Sequence, residues 1–315
     1  MIASHPTDSR PDIGIEFARA RVELDGGPAL VATVAGPLEA PKVILLHGGG
    51  QTRGAWEGGL RSLANAGYRA FAFDARGHGE SDWPDDGLYA LEHWADDIKK
   101  LINHPDLAEV GHKVALVGAS RGGQSALLAA VAHPERVSCV VLVDVTPRTD
   151  EAGIELVRRF LVRSAAGFNN PDEAAAIVSE FTKRPLRTDN SGLMRIMRRD
   201  GDGRWFWPWD PRMALPAFVR PPSEQLLMEE AAAAVKVPVL LIRAGRSEIV
   251  RDVDVAHFRE LLPTLHVAEI PNIGHMISGD SNDAFMAPVV EFLRREHPTK
   301  PSTRRNDIQA GDARE

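Results

Sequence analysis

The chain has 315 residues, 43% of them hydrophobic and 26% charged, with a formal net charge of -7. That is ordinary globular composition with enough apolar residues for a sizeable core. The acidic balance argues against nucleic-acid binding, which calls for a basic face, and a single cysteine, Cys139, excludes an intrachain disulfide and a cysteine metal cluster.

The chain opens on "MIASHPTDSRPD", which is polar and lacks an apolar leader segment. No run approaches the roughly 18 apolar residues of a membrane span, so a cytoplasmic protein without membrane partners is expected. Residues 1–15 and 296–315 read as polar tails. Between them, strands are predicted at 28–36, 42–49, 68–76, 113–120, 137–145, 237–245 and 265–272. The central ones are continuously apolar, as strands covered on both faces should be, and "VSCVVLV" makes Cys139 a buried, inert thiol. Helical patterns alternate with them: "AWEGGLRSLANAG", "LEHWADDIKKLINH", "SALLAAVAHP", "DVDVAHFRELLP" and "FMAPVVEFLRRE". This order predicts the α/β class, a mostly parallel central sheet flanked by helices, built from 16–148 and 236–295.

The alternation fails once. The stretch from Val145 to Val237 reads as helices only. "NPDEAAAIVSEF" opens with Asn170 as N-cap, Pro171 at the first helical position and Glu173 two residues on. An all-helical insertion, 149–235, is therefore expected to cap one end of the sheet.

Gly118-Ala119-Ser120-Arg121-Gly122 lies between a predicted strand and a predicted helix. In that context the G-x-S-x-G spacing means a strained turn that exposes a serine hydroxyl. A serine nucleophile needs a base. Among 11 histidines, His275 in "IPNIGHM" stands out because it follows the last strand and has Gly274 beside it. The base in turn needs a carboxylate to fix its tautomer. Glu248 in "RSEIVRDVDV" is nearest to a strand end and is flanked by Ile249 and Val250, whereas Asp252 and Asp254 suit a helix start. Asp144, at the end of the preceding sheet strand, is the alternative acid. Oxyanion donors are expected from the backbone N–H of Arg121 and from the "HGGG" run at His47–Gly50. "DARGHGESDWP" reads as structural, with Arg76 and His78 holding the loops beneath the site.

Taken together, "HGGGQTRGAW", "DARGHGESDWP", "GASRGG", the helical insertion, "GRSEIV" and "IPNIGHM" resemble the α/β-hydrolase superfamily in content and order, over roughly residues 20 to 295. The resemblance implies a cap-bearing serine hydrolase with Ser120 as nucleophile, His275 as base, Glu248 as acid, and the amides of Gly49 and Arg121 as oxyanion hole. It implies no metal and no organic cofactor. Glutamate at the acid position and arginine after the nucleophile both depart from the family's commoner choices. Epoxide hydrolases and haloalkane dehalogenases of this fold use an aspartate nucleophile, so the serine argues against both activities. What is left is cleavage of a small ester or lactone, C–C hydrolysis of diketo acids, or a cofactor-free perhydrolase of the non-haem haloperoxidase branch. A non-catalytic small-molecule receptor on the same fold is the alternative of another class.

The substrate is expected to be a small molecule, and the oligomeric state stays open, a homo-oligomer included. Trp205, Trp207 and Trp209 in "WFWPWD" form either a plug between insertion and sheet or an apolar pocket wall. Met194, Met197 and Met228 fit adaptable pocket surface and helix packing equally well. Arg53 and Arg121 could together hold a substrate carboxylate. Otherwise Arg121 pairs with an acid such as Asp82 or Asp144.

Overall fold

Short apolar runs assemble into one eight-stranded sheet: β1 (Ala18–Val22), β2 (Leu30–Ala35), β3 (Lys42–Leu46), β4 (Arg69–Phe73), β5 (Val114–Ala119), β6 (Val137–Val143), β9 (Val239–Ala244) and β10 (His266–Ile270). The computed structural model describes residues 15–107, 112–182, 185–186, 189–214, 222–247, 249–275 and 282–299. The order across the sheet is β1-β2-β4-β3-β5-β6-β9-β10. The pairings β1/β2 and β2/β4 are antiparallel; every other neighbouring pair is parallel. The α/β class with a mostly parallel sheet is therefore what the fold shows. Strand β1 falls outside the predicted set, because "ARARV" alternates with exposed arginines, the pattern of an edge strand.

Helices cover both faces, since a parallel sheet has two apolar sides to bury. On one face lie α1 (Glu57–Asn65) and α9 (Asn282–Glu296), contributing Leu60, Leu63, Phe285, Val289 and Phe292 to one core. The other face carries α2 (Leu91–Asn103), α3 (Arg121–Ala132), α7 (Pro222–Ala234) and α8 (Asp252–Leu261). Cys139 is fully buried, and burial pushes its thiol up to about 12, so it is inert at neutral pH.

Between β6 and β9 come α4 (Glu151–Ala165), α5 (Pro171–Thr182) and α6 (Ser191–Ile196), then α7. Asn170 Oδ1 accepts the Glu173 N–H (3.0 Å), the cap its sequence implies. The segment is not helical throughout. A two-stranded hairpin, β7 (Arg198–Arg199) with β8 (Trp205–Phe206), folds back over the "DGDG" turn that helical periodicity concealed. A third core, with Leu161, Phe168, Met197, Trp207, Trp209 and Met213, joins this segment to Tyr89, in the loop before α2, and to Trp94 of α2.

The expected tails lie largely outside the described residues, but the C-terminal one was drawn too early. His297 is buried, stacks on Tyr68 and faces the Lys42 carbonyl oxygen through Nε2 at 3.1 Å.

The crowding in the serine turn is now explicit. A Cβ on Gly122 would stand 2.5 Å from the His47 carbonyl oxygen and 2.6 Å from that of Leu46, both rigid backbone. One on Gly118 would stand 2.5 Å from Gly122. Gly122→Ala is expected to destabilise the protein by about 3 kcal/mol, read as a lower urea midpoint at unchanged slope, because packed backbone cannot yield as a side chain would.

Candidate active site

Three chain segments converge beyond the C-terminal ends of the parallel strands β5, β6 and β10, where ligands bind in open α/β sheets. Ser120 leaves β5 with φ 47° and ψ -120°, a strained conformation for a residue with a Cβ. Its N–H is tied to the Val143 carbonyl (3.2 Å), and its own carbonyl accepts the Gln124 N–H (3.0 Å) as α3 begins. The strain is held by neighbours on both sides.

Asp144 leaves the adjacent strand β6, also at positive φ (49°), with its N–H on the Ile242 carbonyl (2.8 Å). The carboxylate is fully buried. Oδ1 accepts the Ala244 N–H (3.0 Å); Oδ2 accepts the Ser247 hydroxyl (2.6 Å) and lies 2.8 Å from His275 Nδ1. A carboxylate there makes Nδ1 the protonated nitrogen and leaves Nε2 as the basic one. Ser247 Oγ also accepts the N–H groups of Ile249 and Val250, so one serine both orients the acid and shapes the loop after β9. Sequence reading missed Ser247, and no local motif marks it. Glu248, the first choice for the acid, lies outside the described residues. The contact with Nδ1 is made by Asp144, the alternative.

The "HGGG" loop is fastened by two buried histidines. His47 Nε2 accepts the Ala75 N–H (2.9 Å), so its Nδ1 carries the proton and donates to the Gly48 carbonyl (2.8 Å). His78 Nε2 accepts the Gly50 N–H (3.1 Å), and its Nδ1 donates to the Arg76 carbonyl (2.9 Å). Each ring can play that double role only while neutral. Burial pushes both below the usual histidine value, and the proximity of His47 lowers His78 further. Arg76 is buried and bidentate on Asp97 (2.6 and 2.7 Å). Arg76 and His78 thus hold the loops as the sequence suggested. The Gly48 N–H donates to Gln51 Oε1 (3.0 Å). Between two engaged neighbours, Gly49 lines the cavity, and among the described residues its N–H has no acceptor.

Ser120, His275, Gly49 and Arg121 all line a cavity of about 660 Å³. Its far walls come from the segment after β6 and are mostly apolar: Val157, Phe160, Leu161, Val178, Phe181 and Leu193 among others. Trp207 is a wall residue. Trp209 is not; it is buried in the third core, its backbone bridged to His78. Trp205 pairs with Phe168 and stacks under Arg199, away from the cavity. The tryptophan run is therefore part wall and part plug. Met197 and Met228 are core residues, and Met194 is exposed.

Both arginines considered for a substrate carboxylate are committed elsewhere. Arg53 reaches Thr33 Oγ1 (3.1 Å), Asp74 and Glu80, and does not line the cavity. Arg121 does line it, but its guanidinium is bidentate on Glu224 (2.7 and 3.1 Å). The partner is neither Asp82, which is held by Arg21 and the Ala29 N–H, nor Asp144. Glu224 sits about a hundred residues away in sequence, which is why spacing could not find it. Among the described residues no cluster of three or more His, Cys, Asp or Glu could hold a metal ion, and no helix is long and apolar enough to cross a membrane.

Comparison with known proteins shows the family. The family model described as alpha/beta hydrolase fold matches residues 41–281. The esterase Rv0045c of Mycobacterium tuberculosis is 30% identical over 81% of this chain and 82% of its own length. The 2-(acetamidomethylene)succinate hydrolase of Mesorhizobium japonicum is 26% identical over 80% of this chain and 88% of its own. A crystal structure of E-2-(acetamidomethylene)succinate hydrolase superimposes with a TM-score of 0.73 at 23% identity, covering 89% of this chain and 99% of that one.

Proposed function

The chain belongs to the alpha/beta hydrolase fold family and is a hydrolytic enzyme, and from that premise we propose that it cleaves neutral carboxylic esters with apolar acyl groups through a Ser120–His275–Asp144 triad. The observation that carries this reading is the contact of His275 with the buried Asp144 at 2.8 Å, His275 lining one cavity with the strained Ser120.

In the first half-reaction Ser120 Oγ attacks the ester carbonyl carbon and its proton passes to His275 Nε2. Asp144, an unprotonated carboxylate throughout, stabilises the imidazolium. The carbonyl electrons move onto oxygen, where the N–H groups of Gly49 and Arg121 receive the charge. Arg121 opens α3, and first-turn N–H groups of a helix have no intrahelical acceptor. Collapse expels the alcohol, which leaves with the proton from Nε2. A water then attacks the acyl-enzyme, giving its proton to the same nitrogen, and the acid departs as Ser120 regains its hydrogen. The segment from α4 to α7 serves as the cap whose apolar walls receive the acyl chain.

Neutral substrates fit better than diketo acids or acidic lactones. The succinate hydrolase's name denotes a carboxylate-bearing substrate, whereas here the arginines suited to that task are already paired with acids.

Each buried methylene contributes about 0.8 kcal/mol, or roughly fourfold in affinity. Accordingly kcat/KM for p-nitrophenyl esters is expected to rise from acetate through butyrate to hexanoate by about two- to fourfold per methylene. A flat or falling series would remove the apolar acyl pocket from the account. Reversible binding of these esters with no nitrophenol release would favour a receptor instead.

A further inference from the structure

Gln124 lies one turn into α3 from the nucleophile, its N–H bonded to the Ser120 carbonyl (3.0 Å). Side chains of a helix lean toward its N-terminus, so a residue at this position points back at the serine turn. Gln124 lines the same cavity as Ser120 and His275, yet it is only 5% exposed. Among the described residues its side-chain amide makes no hydrogen bond. Nor are the amide oxygen and nitrogen sealed in, as the partnerless indole nitrogens of Trp94, Trp207 and Trp209 are. The little surface Gln124 keeps therefore includes its amide, and that surface faces the cavity. By contrast, Gln51, Glu57, Arg121, Arg158 and Arg195, which also line it, each hold a hydrogen bond within the protein. A plain alkyl chain laid over Gln124 would strand two donors and an acceptor in a dry site, which costs free energy.

Resting on the serine-hydrolase reading above, we propose that Gln124 is a specificity-determining residue whose amide hydrogen-bonds an uncharged oxygen group, a hydroxyl or a ketone, on the acyl chain of the substrate. The preferred substrate is then an oxygenated acyl ester rather than a plain alkyl one. A glutamine offers two N–H donors and one carbonyl acceptor, so a hydroxyl can bind through either and a ketone through the N–H groups. It brings no charge, and so does little for a carboxylate that must shed its water to enter an apolar cavity. The oxygen belongs within a few atoms of the ester carbon, because one helical turn, about 5.4 Å, separates Gln124 from Ser120. The chain beyond it still meets the apolar walls. Apolar pockets take their selectivity from a few such polar groups, and a site that holds a hydroxyl rejects the analogue lacking it more strongly than it rejects an extra methylene.

The test compares kcat/KM for p-nitrophenyl 3-hydroxybutyrate and 4-oxopentanoate with that for the parent butyrate and pentanoate. The full chain is used as wild type, Gln124→Met and Gln124→Leu. Methionine keeps the length and flexibility of glutamine and removes both N–H donors and the strong acceptor. The oxygenated-to-parent ratio should fall about fivefold or more in Gln124→Met for at least one of the two pairs. A fall confined to the hydroxy ester identifies a hydroxyl as the group bound, and one confined to the oxo ester a ketone. Ratios within about twofold of wild type for both pairs overturn the proposal. So does a parallel loss on all four esters, which is what a glutamine that only supports the fold would give. If Gln124→Met does not fold, Gln124→Leu decides on the same ratios. Failure of the underlying reading looks different: wild type would not turn over the butyrate ester, or Ser120→Ala would retain that turnover.

Discussion

Asp144→Asn is expected to lower kcat/KM for p-nitrophenyl hexanoate by about 10³- to 10⁴-fold, while Glu248→Gln changes it by less than about threefold. The asparagine keeps the shape: its oxygen can still accept the Ala244 N–H, and its NH₂, standing where Oδ2 now meets both Ser247 and His275, can donate to the Ser247 oxygen. What it loses is the charge facing His275 Nδ1. An amide NH₂ at that position favours the tautomer with the proton on Nε2, so the base presents a hydrogen where it needs a lone pair. The thermal midpoint should move by only a few degrees, which separates a catalytic loss from a folding one. Equal losses in the two variants, or a loss confined to Glu248→Gln, would transfer the acid role to Glu248.

Ser120→Ala should cost more, about 10⁵-fold in kcat, leaving a residue of activity from the oxyanion donors and binding alone. Alanine also has a Cβ, so the positive φ of 47° is no more strained than with serine, and the turn should persist. Because members of a triad act as a unit, Ser120→Ala/Asp144→Asn should be no slower than Ser120→Ala by itself. Additive losses would mean that Asp144 acts apart from Ser120.

Much of this molecule is legible from its sequence, and the exceptions share a cause. The continuous apolar runs, the glycines of the serine turn and the position of His275 after the last strand are local signals, and the fold places them as expected. Strand β1 escaped because an edge strand needs one apolar face only. The β7–β8 hairpin escaped because arginines and a short glycine turn interrupt an otherwise helical pattern. The acid was the hardest to read: Glu248 and Asp144 both follow sheet strands, and it takes the backbone turn at Asp144, with φ 49°, to aim that carboxylate at His275. Ser247 and Glu224 carry no sequence signal, since each acts through a contact about a hundred residues distant. The orientation of Arg121 was likewise a question of tertiary partners; no local rule distinguishes a substrate-binding arginine from one closed by Glu224.

The most direct test of the central claim is intact-mass analysis of the purified chain after brief exposure to a fluorophosphonate, followed by peptide mapping. A single adduct on the Ser120 peptide is expected in wild type, formed far more slowly in Asp144→Asn and absent in Ser120→Ala. No adduct on wild type, or one mapped to a different residue, would contradict the assignment of Ser120 as nucleophile.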